Sequence, residues 1–362
     1  MDERPWDPPR YEHKSGMIIP RYANTGEDCG SATHGTIRRH HSWGLLTPTS
    51  FYGKTEHSFE SGIMKIKVIQ RDTEVQMKEI KLKAMAKINL GLDVTRKRED
   101  GYHEVRMIMQ SINMYDQIRL SPLEEPQIRV KTNVSFLPVN EDNLVYKAAK
   151  LLMDEFQVTS GVEIDLRKFI PTAAGMGGGS SDAAAVLVGV NRMFQLGLTK
   201  RELMERSVAI GADVPFCVLR GTALAEGIGE ILTPLPSLPK CFVLIAKPPI
   251  NVSTKFVYTN LRANELTCHP DIDGQIRALQ DGDLEAVCKK MGNVLETVTI
   301  PAYPIIQTIK DKMMQCGAVN AMMSGSGPTV FGIFNEREQA EKAAELLREE
   351  DKIRQMFVTT AM

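Results

Sequence analysis

From residue 80 to residue 94 the chain alternates strictly. Ile80, Leu82, Ala84, Ala86, Ile88, Leu90, Leu92 and Val94 share one parity, while Lys87, Asn89 and Asp93 fall on the other. A period of two predicts a half-buried β-strand, because successive side chains leave a pleated backbone on opposite faces. Asp100-Gly101 is a turn signal, and a second β region is predicted over residues 105–120. Residues 142–156 place Leu144, Ala148, Leu151, Leu152 and Phe156 near one stripe of a helix. Val162, Ile164 and Leu166 predict a short strand, an apolar helix is predicted over 181–194, and Thr199-Lys200-Arg201-Glu202 reads as a capping box opening another.

Pro234, Pro236 and Pro239 mark a domain boundary. Beyond it a buried-type strand is predicted over 241–246. Helices are predicted over 284–295, 302–316 and 336–349, and strands over 329–334 and 356–360. Strands and helices are mixed rather than alternating, which predicts an α+β fold in two layers, not a doubly wound parallel sheet.

The first 76 residues differ from the rest. The opening 60 or so hold five of the seven histidines, both tryptophans and turn formers such as Pro8-Pro9, with no sustained period of 2 or 3.6. Asp2, Glu3, Asp7, Glu12, Glu27 and Asp28 do not fit an acid-poor transit peptide. Residues 1–76 are expected to be a disordered tail or an extension upstream of the true start, with Met64 and Met77 as alternative starts. His40-His41 reads as solvated rather than metal-binding. The expected domains are 77–238 and 239–362.

Composition narrows the classes. With 44 basic and 45 acidic residues the net charge is −1, which argues against a dedicated nucleic-acid binder. The six cysteines are scattered, with no CxxC pair, and read as reduced thiols of a cytoplasmic protein. No apolar run approaches the roughly 20 residues of a membrane span. Oligomeric state is left open.

The densest chemical signal is Pro171-Thr172-Ala173-Ala174-Gly175-Met176-Gly177-Gly178-Gly179-Ser180-Ser181, between a strand and an apolar helix. Four glycines let backbone N–H groups converge on a phosphate, and the helix start adds unpaired N–H groups. Ser180 and Ser181 can donate to phosphate oxygens or reach a metal. The G-x-x-x-x-G-K-[ST] pattern is absent, and so are H-R-D and D-F-G, which excludes a Walker loop and the protein-kinase fold.

This loop resembles the phosphate-binding motif of the GHMP kinases, and Ser324-Gly-Ser-Gly-Pro-Thr-Val-Phe331 resembles their C-terminal glycine-rich motif. Ala86-Lys-Ile-Asn-Leu90, Asp100-Gly-Tyr-His-Glu104, Glu141-Asp-Asn-Leu144, Gly211-Ala-Asp-Val-Pro215 and Ala225-Glu-Gly-Ile-Gly-Glu230 narrow the resemblance. They are similar to motifs of the 4-diphosphocytidyl-2-C-methyl-D-erythritol kinases of the non-mevalonate isoprenoid pathway, over about residue 77 to the C-terminus. The resemblance implies a two-domain GHMP fold, with an N-terminal domain like ribosomal-S5 domain 2 and a C-terminal ferredoxin-like sandwich. It implies ATP-dependent phosphorylation of the substrate's 2-hydroxyl with Mg²⁺, whose ligands are unknown.

The same resemblance implies residue roles. Asp213 would be the general base and Lys87 its partner. By pattern alone Asp213 could be a turn or cap aspartate, and Lys87 a surface lysine. Asn89 would hold substrate or the lysine. Tyr102 and His103 would bind the cytosine with Tyr258, although Phe256 is two residues away. Thr254 would contact the diphosphate or polyol. Asn143 and Lys168 would lie near the adenine, or be a helix cap and a solvated strand end. Two alternatives stay open. One is another GHMP kinase acting on mevalonate, homoserine or a sugar. The other is a non-catalytic protein on the same scaffold.

Overall fold

The computed structural model of the protein describes residues 10–14, 17–21, 78–351 and 353–362. The chain divides into two compact units, Met1–Gln76 and Met77–Met362. In the first, β1 (Arg10–Lys14) and β2 (Met17–Arg21) pair antiparallel, with Arg10 opposite Arg21. The rest of the expected tail, with Met64, Met77 and His40-His41, lies outside the described residues.

The second unit opens with two long antiparallel strands, β3 (Ile80–Lys97) and β4 (His103–Leu123), joined through the Asp100-Gly101 turn. There follow β5 (Ile128–Thr132), α1 (Leu144–Glu155), β6 (Gly161–Arg167), α2 (Gly178–Met193), α3 (Lys200–Ser207), α4 (Val214–Leu219), β7 (Thr222–Glu226) and β8 (Ile231–Leu235). Because β4 is long it takes two successive partners on one edge: β7 beside residues 107–110 and β6 beside 117–123. α2 lies on β3 and β4, and its Ala183, Val186, Leu187 and Val190 share a core with Leu120, Val162, Ile164 and Leu166.

The remaining elements are β9 (Phe242–Lys247), α5 (Thr254–Asn260), a 3-10 turn (Ala263–Glu265), α6 (Ile272–Asp281), α7 (Leu284–Lys289), β10 (Gly292–Asn293), α8 (Glu296–Ala302), α9 (Ile305–Gln315), β11 (Asn320–Met323), β12 (Val330–Phe334), α10 (Arg337–Glu350) and β13 (Gln355–Thr360). Four of these strands form an antiparallel sheet in the order β11-β12-β9-β13, the ferredoxin-like arrangement. A second core joins the two sheets: Ile88, Leu90, Ile108 and Ile112 cluster with Val243, Ile245, Phe331 and Ile333. The α+β expectation holds.

Three local expectations change. First, β3 is buried on both faces from Ala84 to Val94 rather than on one. Lys87 and Asn89 lie on the cleft side, with the glycine-rich loop over Lys87, instead of facing water. A bulge also interrupts its parity, since Asn89 pairs with Met109 but Gly91 pairs with Ile108, leaving Leu90 unmatched. Beyond the bulge Leu92 turns to the side of Lys87 and Asn89. Asp93 turns away, and its Oδ1 lies 2.8 Å from His269 Nδ1.

Second, the helix expected over 284–295 is broken. It ends at Lys289, and Gly292-Asn293 instead pairs in parallel with Gly91-Leu92 on the free edge of β3. Third, the helix expected from residue 302 starts at Ile305, with Pro304 as its N-cap residue. Pro234 falls in β8, which among the described strands pairs only with β7; an edge strand tolerates the missing N–H.

Candidate active site

The glycine-rich segment follows β6 and enters α2 at Gly178. Gly175 and Gly177 have φ of +71° and +64°, values that favour glycine, and they carry the chain sharply over β3. Lys87 N–H donates to the Met176 carbonyl at 3.1 Å. A Cβ on Gly177 would come within 3.0 Å of Lys87 Cγ. The loop therefore rests directly on the lysine side chain.

Below it lies a cleft of about 940 Å³. Pro171, Thr172, Ala173, Ala174, Gly175, Met176, Gly177, Gly178, Gly179 and Ser180 line it. So do Lys87, Asn89, Tyr102, His103, Asn143, Lys168, Asp213, Thr254 and Tyr258. Ser181 is the exception among the expected residues. It is buried, and its hydroxyl donates to the Met85 carbonyl at 2.6 Å, so it ties α2 to β3 instead of facing the cleft.

Lys87 Nζ donates to Asn89 Oδ1 at 2.9 Å and lies 3.5 Å from Asp213 Oδ2. The strand period explains the first contact, since residues two apart on one strand face the same way. Asp213 precedes α4 at its N-cap position, yet its side chain makes no capping hydrogen bond. Its carboxylate is turned toward Lys87 and the cleft. Asn143 does cap α1: its Oδ1 accepts from Val145 N–H at 3.1 Å and its Nδ2 donates to the Pro138 carbonyl at 2.7 Å.

Lys168 is not a solvated strand end. Its ammonium is buried between Asp116 and Asp182, 2.7 Å from Asp182 Oδ2. Asp116 Oδ1 also accepts the backbone N–H groups of Phe169 and Ile170. Burial works against the Lys168 charge, but Asp182 and Asp116 together outweigh it and hold its pKa above the ordinary lysine value. Burial, with Asp116 nearby, pushes the Asp182 carboxyl well above the usual range. Asp182 Oδ1 has no hydrogen-bond partner among the described residues.

At the other end of the cleft the rings of His103 and Tyr258 stand 5.2 Å apart at 45°. Tyr258, not Phe256, meets the histidine; Phe256 is 42% exposed and does not line the cleft. Burial lowers the His103 pKa below 6.5, helped by the charge of Lys97. Burial raises the Tyr258 phenol above its ordinary value, with Asp213 adding to it.

The second glycine-rich turn, between β11 and β12, closes the cleft from the C-terminal side. Ser324 Oγ donates to the Gly175 carbonyl at 3.0 Å, and Ser326 Oγ lies 2.9 Å from Thr254 Oγ1. Asn293 Nδ2 anchors this turn through the carbonyls of Met323 and Gly325, at 2.9 and 2.8 Å. The sequence marks the turn as a motif but does not single out Ser326, Asp116 or Asp182. Their parts depend on contacts between segments far apart in the chain.

The chain matches the model of the N-terminal domain of GHMP kinases over residues 143–221 and that of their C-terminal domain over residues 275–352. It is 57% identical to 4-diphosphocytidyl-2-C-methyl-D-erythritol kinase of Lachnospira eligens over 283 residues, 78% of this chain and 98% of the relative. A crystal structure of 4-(cytidine 5'-diphospho)-2C-methyl-D-erythritol kinase superposes with a TM-score of 0.67 at 32% identity, covering 78% of this chain and 99% of the other. Homoserine kinase from Cytophaga hutchinsonii shares the fold, with a TM-score of 0.66 at 19% identity over 78% of this chain and 94% of the other. The chain belongs to the family of 4-diphosphocytidyl-2-C-methyl-D-erythritol kinases, within the GHMP kinases.

Proposed function

We propose that the protein transfers the γ-phosphoryl group of ATP to the 2-hydroxyl of 4-diphosphocytidyl-2-C-methyl-D-erythritol. The observation that carries this reading is the Lys87–Asp213 pair, 3.5 Å apart, with Lys87 lying against Gly177 of the phosphate loop. A general base, a cation and a cluster of backbone donors in one cleft are what in-line phosphoryl transfer requires.

In this reading Asp213 accepts the proton of the substrate hydroxyl as its oxygen attacks the γ-phosphorus. The bond to the bridging β,γ-oxygen breaks, and ADP leaves. Lys87, held by Asn89, keeps the carboxylate oriented and shares the charge gathering on the phosphoryl oxygens. The loop from Pro171 to Ser180 cradles the phosphates, and the side of the cleft formed by Asn143 and Lys168 takes the adenine. Tyr102, His103 and Tyr258 receive the cytosine, and Thr254 meets the diphosphate.

Mg²⁺ fits this site. Asp182 Oδ1 is a buried carboxylate oxygen of a cleft-lining residue with no hydrogen-bond partner among the described residues, and Mg²⁺ favours one or two carboxylates together with phosphate oxygens. Asp182 would hold the ion, which supplies neutralisation of phosphate charge when bound.

We also assign residues 77–238 and 239–362 to the N- and C-terminal GHMP kinase domains, with residues 1–76 a disordered tail or an extension upstream of them, and the enzyme to the cytoplasm. Mixing the protein with Mg-ATP and the cytidyl substrate, mevalonate or homoserine, and measuring ADP, tests the assignment. ADP release is expected with the cytidyl substrate. Release with mevalonate or homoserine alone would instead assign the protein to another GHMP activity.

A further inference from the structure

Ser326 stands on the cleft wall in a position that its backbone surroundings fix from three sides. Asn293 Nδ2 holds the preceding Gly325 carbonyl at 2.8 Å, and Thr299 Oγ1 donates to the Ser326 carbonyl at 3.4 Å. Ser324 Oγ fixes the start of the turn to Gly175. The residue is only 5% exposed, yet it lines the cleft. Its hydroxyl touches one described side chain, Thr254 Oγ1 at 2.9 Å.

Two hydroxyls in mutual contact carry two protons, and one is used between them. Whichever residue donates, one proton remains for a third oxygen. The cleft supplies the direction. Thr254 opens α5, and Tyr258 stands one turn further along the same helix, where it meets His103. On the other side, a Cβ on Gly325 would come within 3.7 Å of Asn89 Oδ1, the partner of Lys87. The hydroxyl pair therefore lies between the aromatic end and the Lys87–Asp213 end. In a nucleotide-capped alcohol the group between base and reacting hydroxyl is the diphosphate. Its oxygens accept hydrogen bonds and donate none, so they need donors such as this spare proton. Lys255, beside Thr254 on the cleft wall, adds positive charge there.

We infer that Ser326 is a substrate-binding residue. Its hydroxyl, paired with that of Thr254, donates to a diphosphate oxygen of the acceptor and sets the distance from the clamped base to the reacting hydroxyl. This rests on the cytidyl reading of the cleft, so the test separates the two.

The protein is first saturated with a non-hydrolysable ATP analogue to block the nucleotide site. CDP and cytidine are then titrated calorimetrically into wild type, S326A and T254V. A hydrogen bond to a charged group is lost with S326A, so the dissociation constant for CDP is expected to rise about tenfold or more. Cytidine, which has no diphosphate, should bind both proteins alike. T254V changes an exposed residue, which keeps the test open should S326A fold poorly; it is expected to weaken CDP and spare cytidine in the same way. Equal affinity of CDP for the variants and wild type overturns the inference. So does an equal loss for CDP and cytidine, the signature of a merely deformed cleft. ADP release from the full cytidyl substrate by wild type reports on the kinase reading alone.

Discussion

The hydroxyl of Ser324 donates to the carbonyl of Gly175 across 3.0 Å, so two glycine-rich turns separated by 149 residues meet directly. The contact is tight: a Cβ on Gly175 would overlap the backbone carbonyl of Ser324, and the residue's φ is +71°. Gly175→Ala therefore combines a backbone clash with a left-handed conformation that costs an L-residue about 1–2 kcal/mol by itself. We expect it to lower stability by at least about 3 kcal/mol in urea titration and to weaken ATP binding. Gly179→Ala is the comparison. Its Cβ would meet only Leu144 Cδ1 at 3.4 Å, inside a helix, so folding stability should change by less than about 1 kcal/mol. Equal losses would show that the contact between the turns is not what fixes the loop.

Asp213 and Lys87 make a kinetic prediction. Asp213→Asn keeps the shape and removes the base, so kcat should fall by about two or more decades while ATP still binds. Lys87→Met should lower kcat similarly, and because it leaves the buried Asn89 Oδ1 without its donor it should also cost stability. Near-normal turnover of Asp213→Asn in a steady-state assay would remove that residue from the mechanism.

His103 makes a pH prediction. Burial, and to a lesser degree Lys97, holds its pKa below 6.5. A base whose folded-state pKa is depressed contributes stability fully present above its unfolded value and lost as pH falls through the folded value. Cytidine binding by the neutral ring should therefore be flat from pH 8 down to about 6.5 and weaken only below that. His103→Gln should flatten this acid limb at reduced affinity. An affinity already falling between pH 8 and 7 would contradict the depressed pKa.

These residues divide by how far their signals reach along the chain. The strand with Lys87 and Asn89, the phosphate loop and the Thr199–Glu202 capping box are local patterns, and each forms where its pattern lies. Period two brought Lys87 and Asn89 together but failed three residues later, because a bulge depends on how β4 pairs and not on β3 alone. The two-residue strand β10 was hidden for the same kind of reason. Gly292 and Asn293 carry no strand signature, and only the open edge of β3 recruits them. At the site, Tyr258 and Phe256 are equivalent in sequence, and the ring of His103, arriving from β4, distinguishes them. Lys168 read as a strand end because its partners stand 52 and 14 residues away.

That buried triad gives the last prediction, a ranking of three variants. Lys168→Met leaves Asp116 and Asp182, both almost fully buried, facing each other without a cation. Breaking a buried pair on one side costs about 3–5 kcal/mol. Asp116→Asn weakens the bond to Lys168 and disturbs an acceptor that also holds the N–H groups of Phe169 and Ile170, so a loss of about 2–4 kcal/mol is expected. Asp182→Asn differs in kind. Burial and the neighbouring Asp116 already disfavour its charge, as its raised pKa reflects. The amide keeps an oxygen for Lys168 and removes a like charge from Asp116, so the change should stay below about 1 kcal/mol. Urea denaturation of the three proteins at neutral pH measures the order directly. If Asp182→Asn proved as damaging as Lys168→Met, the cluster would depend on two ionised carboxylates, and the repulsion between them would not be what limits its stability.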